Sequence, residues 1–101
     1  MKYLVEITPP IPLANTTDDK GGPGAFFQHI AERFKPEAMY GSPALRTLIM
    51  ILDLPTAEDM AELTFIVGRG ASCEPRFVPL MEPEPMMAVL QRTNNTPRLG
   101  E

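Results

Sequence analysis

Short blocks of β-forming residues alternate with segments whose apolar positions recur at helical spacing. Lys2 to Thr8 holds Tyr3, Val5 and Ile7 and is closed by Pro9-Pro10, which predicts a first strand. Residues 9–22 form a polar connection ending in Asp18-Asp19-Lys20-Gly21-Gly22. Its length exceeds that of ordinary connections and predicts a disordered loop or a mobile lid. Pro23 suits a first helical residue, where a missing N–H costs nothing. Phe26, Phe27, Ile30, Ala31 and Phe34 then fall on one helical face, and Lys35-Pro36 ends that helix.

Glu37 to Ser42 predicts a second strand, turning at Gly41-Ser42-Pro43. Ala44 to Leu54 reads as the third, apolar at consecutive positions from Leu48 to Leu52 rather than at alternate ones. After Pro55, Thr56 is the expected N-cap of a second helix, with Asp59 three residues on as a capping-box partner. Ala57, Met60, Ala61, Thr64 and Val67 line one face of it, and Gly68 or Gly70 is the expected stop. Cys73 to Glu82 predicts a fourth strand around Phe77-Val78-Pro79-Leu80-Met81. Residues 84–92 predict a short helix bearing Met86, Met87, Val89 and Leu90. The domain thus spans residues 1–92, with 93–101 a polar, frayed tail.

The order strand, helix, strand, strand, helix, strand is the ferredoxin-like βαββαβ pattern, an α+β fold. It implies a four-stranded antiparallel sheet of order 4-1-3-2 with both helices on one face. A sheet with one wet face alternates apolar and polar residues. The third strand does not, and neither does Phe77 to Met81, so something must cover the second face. A second copy of the chain is the simplest cover, and a homodimer is expected. Pro75, Pro79, Pro83 and Pro85 share one parity, which leaves one side of the fourth strand short of donors and suits an edge.

Element order, chain length, the two-sided third strand and the Phe77-to-Met81 strand together resemble the dimeric α+β barrel superfamily over residues 2–82. The segment Phe34-Lys35-Pro36-Glu37-Ala38-Met39-Tyr40, leading to Arg46-Thr47, is similar to small members of that superfamily with no assigned function. The resemblance implies a dimer with sheets face to face. If the protein is an enzyme, it implies a cofactor-free monooxygenase or isomerase. Fold membership alone selects no function.

Composition narrows the partners. A net charge of −4, with basic residues scattered singly, argues against a nucleic-acid surface. The longest apolar run, Leu48 to Leu52, is too short for a membrane span, and Glu6 with the following prolines argues against a signal peptide. Cys73 is the only cysteine, which suits a reducing compartment, and a soluble cytoplasmic protein is expected.

No metal-spaced cluster, phosphate-binding loop or nucleophile elbow occurs, so neither a metal nor a cofactor is expected. His29 is the sole histidine and the only candidate general base. It sits about 130° from the centre of the phenylalanine stripe, near Glu32 and Arg33, as a surface residue would. Cys73 has no cationic activator in the sequence and reads as inert. Glu6, Arg46 and Arg76 fall at one end of the expected sheet. They read either as an anion site, with Tyr40 as a polar handle, or as a structural charge triad. The methionines either fill the core or line an adaptable pocket between sheet and helices. Two functions follow: binding of a small anionic or aromatic molecule in that pocket, or non-catalytic self-association and protein interaction.

Overall fold

The computed structural model describes residues 1–100, apart from the side chain of Asp18. Eight elements follow one another: β1 (Lys2–Ile7), α1 (Ile11–Asp19), α2 (Gly24–Phe34), β2 (Ala38–Ser42), β3 (Thr47–Asp53), α3 (Ala57–Ala71), β4 (Arg76–Pro79) and α4 (Pro83–Arg92). The four strands form one antiparallel sheet in the order β2-β3-β1-β4, which is the expected order read from the other edge. The architecture is α+β and consistent with a ferredoxin-like fold.

Register decides which side chains share a face, because directly paired residues project to the same side. Val5 pairs with Met50 and Phe77, and Met50 with Met39. This row, with Ile7, Leu48 and Leu52, packs against Ile30 of α2 and Leu63, Val67 and Ala71 of α3. Val5, Met50, Leu52, Ile30, Leu63 and Val67 are wholly buried. Each such side chain contributes about 1.5–3 kcal/mol relative to exposure, so this layer is the main source of stability. The opposite face carries two rows: Val78, Leu4, Ile51 and Ala38, and then Arg76, Glu6, Ile49 and Tyr40. Among the described residues no element fully buries this second face: Leu4, Ile49, Ile51 and Val78 are only half-buried.

Several expectations are corrected. The connection 9–22 is not an extended loop, because Ile11–Asp19 forms α1. Thr16 and Thr17 donate their hydroxyls to the carbonyls of Pro12 and Leu13, at 2.9 and 2.8 Å, and so satisfy their side chains within the helix. Gly21 and Gly22 both take positive φ and turn the chain from α1 into α2. Among the described residues four helices are therefore present, not the two of the basic pattern plus one short C-terminal helix. Pro23 is the N-cap of α2 rather than its first residue. Neither Gly68 nor Gly70 stops α3, which runs on to Ala71 and ends at Ser72 in the left-handed region. Strand β3 begins at Thr47, because Arg46 is left-handed (φ 50°) and interrupts the extended chain. Strand β4 is confined to Arg76–Pro79.

Other local expectations are met. Thr56 caps α3, accepting from the Asp59 N–H at 3.1 Å. The N–H of Leu80 donates inward to the Lys2 carbonyl, so odd-numbered N–H groups of β4, including the missing one of Pro79, face away from β1. Among the described residues no helix is long and apolar enough to cross a membrane.

Candidate functional site

A cavity of about 470 Å³ opens on the helix-covered side, at the end of the sheet where β1 finishes and β3 starts. Ile7 and Leu48 form its floor, and Phe26 and Phe27 of α2 wall it. Leu13, Ala14 and Thr17 of α1 roof it, and Gly70 and Ala71 of α3 close the back. The polar lining comes from Thr17, Ser42, Thr47 and Arg46. Most of the enclosed surface is hydrocarbon or aromatic, with a few polar groups gathered near one wall. Its size and composition are those of sites for small organic molecules.

Each wall has a local cause. Phe26 and Phe27 are adjacent on α2, their rings 6.3 Å apart and tilted by 51°, and both line the cavity. Gly70 brings α3 against Phe26: a side chain at this position would meet the ring. The Oγ1 atoms of Thr8 and Thr47 share a hydrogen bond of 2.8 Å, and Thr47 Oγ1 also reaches the Leu45 carbonyl at 3.0 Å, which fixes the turn into β3. Arg46 follows from that turn. Its Nη1 donates to Asn15 Oδ1 on α1, tying the roof to the sheet end.

The structure divides the charged triad expected from the sequence. Arg76 Nη1 lies 3.0 Å from Glu6 Oε2, in the same cross-strand row on the open face. Arg46 is on the cavity side and meets Asn15 instead. Tyr40 shares the open-face row of Glu6 but is separated from it by Ile49, and it is 63% exposed. Of the four candidate ligand residues, only Arg46 lines the cavity. His29 is exposed on α2 and lies outside the cavity lining. Cys73 is half-buried, and that burial pushes its thiol pKa up against the opposing effect of a backbone hydrogen bond from Thr8. Of the seven methionines, Met50 is in the core, whereas Met81, Met86 and Met87 are exposed.

The cavity residues that sequence reasoning missed are those of α1. Leu13, Ala14 and Thr17 have the i, i+1, i+4 spacing of one helical face, a weak signal when only nine residues carry it. Phe26 and Phe27 were legible as apolar anchors but not as cavity walls. Among the described residues no group of three or more acidic, histidine or cysteine side chains has the geometry to hold a metal ion. No protein-family model matches the chain, and no curated protein matches it significantly.

Proposed function

We propose that the protein binds a small aromatic molecule carrying an anionic group, in the cavity between the sheet end, α1 and α2. The observation that carries this reading is the juxtaposition of the Phe26–Phe27 wall with Arg46 on one lining. An aromatic body would contact the two rings and Leu48, while the guanidinium would take up the carboxylate, sulfonate or phosphate in a forked contact. Thr17 of α1 adds a polar residue to the same lining. Among the described residues the lining carries no histidine, carboxylate or thiol, so the reading concerns binding and orientation, and no reaction is assigned. The test is a titration of naphthalene-2-carboxylate into the ¹⁵N-labelled protein. Shifts concentrated on residues 13–17, 26–27 and 46–48, and weakened by at least about tenfold in Arg46→Ala, support the site. Shifts confined to β2, β4 and α4, or unchanged affinity in the variant, refute it.

A second reading, homodimerisation through the open sheet face, is favoured by a separate observation. The chain exposes 7426 Å², against about 5,700 Å² for a compact monomer of its mass. Its radius of gyration is 17.2 Å, where about 13 Å is usual for this length. The central open-face residues Leu4, Ile49, Ile51 and Val78 are apolar, as a self-complementary two-fold contact requires. Such pairing is what membership of the dimeric α+β barrel superfamily would entail, and Cys73 as a free thiol suits a reducing compartment such as the cytoplasm. Sedimentation equilibrium of the full chain tests it, a monomer at about 100 µM being the adverse result.

A further inference from the structure

Helix α4 is amphipathic and uncovered. All ten of its residues are exposed, yet Met86, Met87, Val89 and Leu90 are 46, 52, 38 and 51% accessible along one broad face. At 100° per residue, Val89, Met86, Leu90 and Met87 span an arc of about 160°, with Glu84, Gln91 and Arg92 opposite. Met81, just before the helix, extends the apolar surface at 51% exposure. The molecule measures 56 × 30 × 24 Å. Only Leu80, Met81 and Glu82 connect α4 to β4, between Pro79 and Pro83, whose fixed φ stiffens the join.

We infer that α4 is an exchanged arm: the apolar stripe of each copy lies across the open sheet face of a second copy, beside Leu4, Ile51 and Val78. This rests on the homodimer reading and specifies that the partner's α4, rather than its sheet, covers these residues. Area is the first argument. The four strands cover about 350 Å² in plan, at about 3.3 Å per residue and 4.8 Å between strands. That is under half of the roughly 800 Å² per partner that a stable interface buries. A sheet face alone is therefore a small contact, and a ten-residue helix laid on it adds to the area. The excess exposed surface, on the order of 1,700 Å² over a compact monomer, is ample for both contributions.

Two-fold symmetry supplies the second argument. In an isologous pair each arm is given and received, so one helix contributes to the contact twice. Charge agrees with this placement. Glu82 opens the arm, and Arg76 on the β4 edge of the receiving face keeps a side chain 72% exposed despite its bond to Glu6. The arm thus brings the Glu82 carboxylate to a face whose β4 edge carries a cation.

Two measurements on the full chain test the arm. Met86→Glu with Leu90→Glu is expected to weaken the dimer by at least about 30-fold, with an unchanged far-ultraviolet spectrum, because these side chains are exposed within their own chain. An unchanged dissociation constant overturns the arm while leaving sheet-face dimerisation standing. A wild-type chain that is monomeric at about 100 µM overturns both. Benzoylphenylalanine at position 87, irradiated in a mixture of ¹⁴N and ¹⁵N chains, is expected to give mixed-isotope crosslinks to residues 2–7, 47–53 or 76–79. Crosslinks within one isotope only, or to α2 and α3, overturn the placement.

Discussion

Gly70 of α3 and Phe26 of α2 meet where no side chain fits: a Cβ built on Gly70 would lie 2.5 Å from Phe26 Cε2 and 2.7 Å from Cδ2. The absent side chain therefore positions a cavity wall. Gly68, two residues earlier, has open space around the same hypothetical atom.

These two glycines predict opposite responses to the same substitution. Gly68→Ala is expected to stabilise the protein by about 0.5–1 kcal/mol, since alanine is the better helix former and nothing obstructs it. Gly70→Ala gains the same helical preference but forces the Phe26 ring to move. Overpacking of this kind costs about 1–3 kcal/mol, so the net effect is neutral to destabilising, and the displaced ring narrows the cavity. Thermal unfolding of the two variants, at about 4–8 °C per kcal/mol for a domain of this size, checks the difference in sign.

Much of this fold was legible because pattern and packing agree. The N-cap at Thr56, the edge placement of the proline-bearing strand and the helix anchored by Phe26, Ile30 and Phe34 all depend on local chemistry that survives into the tertiary structure. Helix α1 was not legible, because its polar composition and two flanking prolines match a loop as well as a helix, and its apolar face is only three side chains wide. The run of α3 through Gly70 was hidden for a different reason. A glycine reads as a helix stop, but here the partner ring of Phe26, distant in sequence, makes glycine the residue that permits close packing. The candidate site divided along the pleat: Glu6 and Arg76 share a register row, whereas the left-handed Arg46 precedes the strand and turns toward α1. Proximity at one end of a sheet does not determine the face.

The cap of α3 makes stability depend on acid. Asp59 has its carboxyl pKa lowered, first by the hydroxyl of Thr56, which donates to Oδ2 at 2.8 Å, and then by Arg33 at 3.3 Å. A carboxyl lowered in the folded state contributes stability that is complete above its ordinary value of 3.8 and is lost as pH falls through the lower folded value. Thr56→Ala should cost about 1 kcal/mol at pH 7 through loss of the cap. The same variant should show a shallower loss of stability below pH 4 than the wild type, because the main cause of the lowered carboxyl is gone. Urea unfolding of both proteins across the acid range makes the comparison.

Cys73 should react slowly. Its thiol is half-buried between α3 and β4 and its pKa is raised by that burial, so little thiolate is present near neutral pH. Alkylation by iodoacetamide at pH 8 is expected to be at least about tenfold slower in the folded protein than in urea. The folded rate should still be rising with pH where a free thiol has levelled off. Equal rates in both states would mean that the connection between α3 and β4 opens readily.

The two faces of β3 predict two kinds of defect from neighbouring residues. Leu52 is wholly buried on the helix-covered side, and Leu52→Ala should cost about 2–5 kcal/mol at any protein concentration. Ile51, one residue earlier, pairs with Leu4 and Ala38 on the open face. Ile51→Thr keeps a β-branched residue and the strand, so dilute protein should unfold within a few degrees of the wild type. If the open face is a contact between copies, the wild-type Tm rises with concentration by mass action and that rise disappears in Ile51→Thr. A concentration-independent loss as large as that of Leu52→Ala would mean instead that Ile51 is covered from within its own chain. In that case the exchanged-arm arrangement would have to be given up in favour of a closed monomer.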